Sequence, residues 1–171
     1  APILGQSDGK KAFIFIKTNI RNAAIKPTFE AKIRLENGKY KILDPIRRKY
    51  VALTPEEWVR QHFVNFLIST HHYPKEMIAN EVSIRLNETS KRCDTVVYAP
   101  SLSPLMIVEY KAPTVELTPA VFEQIVRYDM VLHARYLIVS NGLRHICCEI
   151  RYEEGKYHFL EEIPSYNSIA Y

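Results

Sequence analysis

The sequence predicts an α/β fold with one mixed central sheet and a helix on each side. Three observations carry this expectation. Two apolar segments, Arg92–Tyr98 and Leu105–Lys111, flank a break at Pro100-Ser101-Leu102-Ser103-Pro104 and read as a hairpin. A strand, helix, strand order over residues 105–140 implies a right-handed parallel crossover. A separate amphipathic helix over residues 54–70 supplies the other layer. The expected organisation is an N-terminal arm or extra strand over residues 1–30 and a single domain over residues 31–171, a length that supports one good core.

In the arm, Ala12–Ile16 reads as a strand and the rest as linker. Ile33-Arg34-Leu35 and Tyr40-Lys41-Ile42 alternate around Asn37-Gly38, a strong hairpin signal. Asp44-Pro45 opens a connection, and Arg47-Arg48-Lys49 reads as a solvated basic cluster, a backbone-phosphate contact being its other reading. Thr54-Pro55 starts the first helix, with Thr54 as N-cap, Pro55 at the first helical position and Glu57 completing a capping box. At 100° per residue, Val59, Phe63, Phe66 and Leu67 share a face; Glu56 falls in that arc and Glu57 on the far side. On this reading Glu57 is structural and Glu56 points inward, either as a site acid or paired with Arg60.

His71-His72 closes the helix and suits its negative end. Glu81–Leu86 alternates as a strand, and Glu81 reads more as a strand acid than as part of a site. Thr118-Pro119 starts the second helix, whose expected buried stripe is Val121, Ile125, Tyr128 and Leu132, with Gln124 at its edge. Tyr136–Ser140 is a buried strand closed by Asn141-Gly142, and His145–Tyr152 with Lys156–Leu160 forms a last hairpin.

Composition narrows the class. Apolar content of 47% and charged content of 25% are ordinary for a soluble globular chain. No apolar run approaches the roughly 18 residues of a membrane span, and no signal peptide is recognisable, so the expected compartment is the cytoplasm. Three cysteines, two of them adjacent, build neither a disulfide framework nor a zinc site. Charge is uneven: residues 1–50 carry twelve Lys/Arg against four Asp/Glu, and the remainder eleven against fifteen. A basic arm and an acidic catalytic half suit a protein that holds phosphates on one part and metal on another, and a solvated leader explains residues 1–30 equally well.

The chemistry gathers at the predicted hairpin. Glu109 and Lys111 lie two residues apart at the end of an apolar strand, so both project to one face and Tyr110 to the other. Asp94 stands near the start of the neighbouring strand, and Cys93 reads as a core residue facing away from it. Two carboxylates and an ammonium suit a hard cation and a water nucleophile: carboxylate oxygens ligate Mg²⁺, which keeps waters and accepts phosphate oxygens. The ammonium positions water and offsets phosphate charge. The plain alternative is an ion pair at a strand end.

At these residues the chain resembles the PD-(D/E)xK nuclease superfamily, with Asp94 as its first acid and Glu109-Tyr110-Lys111 as its acid-x-Lys. It is more closely similar to the N-terminal nuclease domain of type I restriction enzyme R proteins. Arg92 before Asp94, Ala112-Pro113 after Lys111, Gln124 with Tyr128, and a helix acid at Glu56 or Glu57 match that family's ordered set over roughly Asp44 to Ile163. The resemblance implies a restriction-endonuclease-like fold and a Mg²⁺-dependent DNA endonuclease, with Mn²⁺ as a substitute. It implies that Asp94, Glu109 and the Tyr110 carbonyl hold the metal and that Lys111 positions or activates water. Glu56 is its accessory acid, and Gln124 and Tyr128 support from the side. By pattern alone, Tyr128 is a half-buried core aromatic with its hydroxyl at the surface.

The implied partners are DNA and either restriction-modification subunits or a separate motor protein, because no Gly-x-x-x-x-Gly-Lys-Ser/Thr loop is present. The rival reading is a nucleic-acid-binding or regulatory module that keeps the fold without cutting. A histidine ribonuclease using His71, His133 or His145 has no geometric support in their spacing.

Overall fold

The computed structural model describes residues 30–171; the expected arm and the strand over Ala12–Ile16 lie outside them. Strands β1 (Ile33–Glu36), β2 (Lys39–Asp44) and β3 (Lys49–Ala52) make a small antiparallel sheet. Its first hairpin turns at Asn37 and Gly38, with φ of 51° and 74°, the left-handed pair that matches strand twist. Strand β3 was not expected from sequence.

Helix α1 (Pro55–Ser69) follows. Thr54 Oγ1 accepts the Glu57 N–H at 3.1 Å, as an N-cap should. The return half of the expected capping box is replaced: the Thr54 N–H goes to the Ala52 carbonyl, and the Glu57 carboxylate turns to arginines. Val59, Phe63 and Leu67 are at most 1% exposed. Each such burial is worth roughly 1.5–3 kcal/mol, and Phe63→Ala would cost on the order of 3–5 kcal/mol.

The central sheet contains β4 (Ile78–Leu86), β5 (Thr89–Tyr98), β6 (Pro104–Tyr110), β7 (Tyr136–Ser140), β8 (His145–Arg151) and β9 (Lys156–Leu160), side by side in chain order. Only β6 and β7 run parallel, and helix α2 (Pro119–Met130) lies in the connection between them. This is the mixed central sheet flanked by helices that the sequence predicts. The β5–β6 hairpin pairs Thr95 with Val108 and Val97 with Met106.

Alternation along these strands builds two cores. Val97, Met106, Val108 and Tyr110 pack with α1, and a short C-terminal helix, α3 (Tyr166–Ile169), joins that side. Val96, Ile107, Leu137 and Val139 pack with α2. The α2 stripe corrects the sequence expectation. Phe122, Val126 and Asp129 are its buried residues, Val121 and Ile125 are half-buried, and Tyr128 is 58% exposed. Two apolar stripes lie side by side on this helix, and the one interrupted by an acid is the one that faces the sheet. Leu132, just past the helix, is buried as expected.

Candidate active site

The hairpin register brings the two acids together. Asp94 and Glu109 are the next residues beyond the Thr95–Val108 pair. Asp94 Oδ2 accepts the Tyr110 backbone N–H at 2.9 Å, so the Asp94 side chain reaches across to β6. Tyr110 turns its ring into the α1-side core, where its hydroxyl donates to Thr95 Oγ1 at 2.9 Å. Glu109 and Lys111 therefore take the opposite face, as period-two alternation requires. The Lys111 backbone N–H donates to the Ser140 carbonyl at 2.8 Å and fixes the strand end to β7.

Asp94, Glu109, Tyr110 and Lys111 share one cavity of about 430 Å³ with Val121, Gln124, Ile125 and Tyr128 of α2. The structure thus gathers every sequence-predicted site residue except Glu56. Glu56 is exposed at the helix start and lines no part of this cavity.

The helix acid that turns inward is Glu57, the reverse of the helical-wheel expectation. Its side chain is 6% exposed and pairs with Arg47 and Arg60, the latter at 2.5 Å. Two guanidiniums supply the countercharge that lets this carboxylate enter the protein. Arg47 also pairs with the buried Asp44, so it is part of a buried ionic chain rather than a solvated cluster. Arg60 continues the chain: it pairs with Glu81, and its Nη1 donates to the Asp94 backbone carbonyl at 2.6 Å. Arg92 completes it, with Nε 2.5 Å from Glu81 Oε2. Glu81 holds two arginines and does not line the cavity. A second relay runs from Asp44 through Asn80 and Thr95 to the Tyr110 hydroxyl. The two relays fix the backbone and ring on the α1 side of the residues whose acids face the cavity.

Charge on the cavity side is dense. Burial, then the adjacent Asp94 carboxylate, hold the Glu109 carboxyl well above the usual carboxylate range. Burial also raises Asp129 and lowers Lys91, which pair at 2.5 Å. Cys93 is fully buried, so its core role is met, but it lies on the α2 side, where Asp94 lines the cavity, and not on the face away from it; burial pushes its thiol up to about 12. Among the described residues, no group of three His, Cys, Asp or Glu side chains is arranged to hold a metal ion. The donor set on offer is two carboxylates with a main-chain carbonyl, which suits a hard cation that keeps waters. Glu109 Oε1 fits that role: it is buried with no N–H or hydroxyl donor among the described residues, and its hydrogen-bonding neighbours are the Asp94 and Asp129 carboxyls.

Sequence reasoning missed the central part of Arg60 and passed over Lys91 and Asp129. Signals existed for the last two. Asp129 continues the spacing of Phe122 and Val126 on α2, and Lys91 lies two residues before buried Cys93 on β5, the same-face spacing of a strand. A charge at an inward position of an apolar pattern marks a buried ionic partner.

Fold and cavity define a class, a mixed α/β domain whose central sheet brings two acids and a lysine to one cavity. Comparison with known families makes this narrower. The model for the type I restriction enzyme R protein N terminus matches residues 55–164, and the chain belongs to that family. The matched stretch contains Asp94, Glu109, Lys111, Gln124 and Tyr128. A solved fragment described as an HsdR subunit of a type I restriction enzyme from Vibrio vulnificus YJ016 is similar at 17% identity and a TM-score of 0.48, over 68% of this chain and 24% of that one. This chain therefore corresponds to a minor part of that relative's length. No curated protein matches the chain. No helix among the described residues is long and apolar enough to cross a membrane.

Proposed function

We propose that this protein is a Mg²⁺-dependent DNA endonuclease that hydrolyses phosphodiester bonds at the Asp94–Glu109–Lys111 cavity. The observation that carries the reading is the convergence of Asp94, Glu109 and Lys111 on one cavity, with a Glu109 carboxyl oxygen buried among other carboxyls and given no N–H or hydroxyl donor among the described residues. Asp94, Glu109 and the Tyr110 carbonyl would hold the cation. When bound, a divalent cation supplies Lewis acidity toward a phosphate oxygen.

The chain's own residues do the rest. Asp94 is braced by the Tyr110 N–H and by Arg60 on its carbonyl, so its carboxylate is fixed before substrate arrives. Lys111 makes no side-chain ion pair among the described residues and lines the cavity, which leaves its ammonium to orient water and offset charge on the phosphate. Water's oxygen joins phosphorus, one P–O ester bond breaks, and the leaving oxygen takes a proton. Gln124 and Tyr128 line the same cavity from α2 and bring an amide and a phenol to its edge. Glu56 has no part in this reading; Glu57 acts at a distance through Arg60.

DNA is the substrate, and restriction-modification subunits or a separate motor protein are the partners, on the strength of family membership. The test is supercoiled plasmid incubated with Mg²⁺, with chelator, and with the Asp94→Ala and Lys111→Ala variants. Nicked or linear product with wild type alone supports the reading. Cleavage that persists in both variants removes this assignment, and no Mg²⁺-dependent cleavage by wild type leaves a non-cutting DNA-binding module.

A further inference from the structure

Beside Glu109 lies a buried ion pair that the mechanism above does not use. Lys91 Nζ, on β5, is 2.5 Å from Asp129 Oδ1, on α2, and the two side chains are 3% and 1% exposed. The Tyr128 ring covers the ammonium, with its centroid 2.9 Å from Nζ. Asp129 Oδ2 and Glu109 Oε1 are both buried with no N–H or hydroxyl donor among the described residues, and the Glu109 carboxyl lies within hydrogen-bonding reach of the Asp129 and Asp94 carboxyls.

A buried ammonium must have an anion, because leaving it unpaired costs several kcal/mol or more. This site offers Lys91 two anions: Asp129, which it touches, and Glu109, whose charge it also feels. An ammonium on Glu109 would neutralise that carboxylate and fill the space a cation needs. We propose that Asp129 is a positioning residue that holds the Lys91 ammonium off Glu109, leaving Glu109 Oε1 open to a divalent cation. The proposal rests on the reading of Glu109 as a metal ligand. Tyr128 serves it as a cover, shielding the Lys91–Asp129 pair from water and so strengthening it.

The sign of the effect is specific. In Asp129→Asn the shape is kept and the anion is lost, so Lys91 turns to Glu109. In Lys91→Met there is no ammonium to sequester, so Asp129 is no longer needed for this purpose.

The experiment is calorimetric titration of Mn²⁺ into wild type, D129N, K91M and the K91M/D129N double variant, with a crystal structure of D129N. D129N is expected to weaken Mn²⁺ binding by about 10–100-fold, the usual effect of losing a group that supports a ligand, while K91M and the double variant stay within about threefold of wild type. A purely structural role makes the double variant no better than D129N. D129N binding as wild type does, or a double variant as weak as D129N, overturns the proposal and leaves the metal reading intact. If wild type itself takes up no Mn²⁺, the metal reading fails, and the D129N crystal decides the sequestration alone. Lys91 Nζ in hydrogen-bond contact with Glu109 upholds it, and Lys91 elsewhere overturns it.

Discussion

Asp94 Oδ2 accepts the backbone N–H of Tyr110 at 2.9 Å, tying the start of one strand's apolar run to the end of its neighbour's. The bond sits between Glu109 and Lys111, so the orientation of both depends on it. Asp94 is therefore a structural acceptor as well as a ligand of the proposed cation. Asp94→Ala is expected to lose Mg²⁺-dependent cleavage and about 1–2 kcal/mol of stability in urea melts. A variant with the stability loss and undiminished cleavage would show that only the structural half is right.

Lys111 separates chemistry from binding. Its side chain forms no ion pair among the described residues, and its backbone N–H, which a substitution leaves in place, makes the bond to Ser140. Lys111→Met should melt within about 1 °C of wild type, keep its Mn²⁺ binding, and cut plasmid at least about 100-fold more slowly. Equal losses of binding and cleavage would instead make Lys111 part of the cation's surroundings.

Glu109 predicts a pH dependence. Its carboxyl is raised by burial and by Asp94, so the folded protein favours the neutral acid. That contribution to stability is full below the ordinary carboxylate range and is lost as pH rises toward the raised value. Glu109→Gln should therefore flatten the fall in melting temperature between pH 5 and pH 8 measured in chelator. At pH 8 it should melt higher than wild type by roughly 4–8 °C, about 2 kcal/mol for removing a carboxyl that folding forces to stay protonated. Asp129, raised chiefly by burial, leaves a smaller residual slope. A Glu109→Gln profile as steep as wild type would contradict the placement.

Glu56 and Glu57 make a paired test of the helix acid. Glu56 is exposed, while Glu57 is held between Arg47 and Arg60. Glu56→Gln should change neither melting temperature nor cleavage. Glu57→Gln removes one of two anions from each guanidinium, Arg47 keeping Asp44 and Arg60 keeping Glu81, and should cost on the order of 1–3 kcal/mol, with a cleavage loss through Arg60 and the Asp94 carbonyl it holds. Normal cleavage and stability in Glu57→Gln would dismiss the ionic chain as a support.

Local patterns explain what the sequence revealed and what it hid. The β5–β6 hairpin was legible because an apolar period and a Pro/Ser break are local signals, and Asp94, Glu109 and Lys111 came with it. The crossover to β7 was legible from element order alone. Glu56 misled because a helical wheel weighs hydrophobicity and cannot see Arg47, ten residues before Glu57 in the chain, bringing a countercharge that draws Glu57 inward. Strand β3 escaped because Lys49-Tyr50-Val51-Ala52 is short and its first residue is charged. Asp129 and Lys91 escaped because each was read against its own segment, and their pairing exists only once α2 lies across β5.

The central claim is that Asp94 and Glu109 share a divalent cation, and anomalous diffraction from a crystal soaked in Mn²⁺ tests it most directly. The account predicts an anomalous peak within coordination distance of both carboxylates, beside the Tyr110 carbonyl. A peak bound elsewhere, or none while Lys91 or Lys111 occupies the space between the two acids, would contradict it.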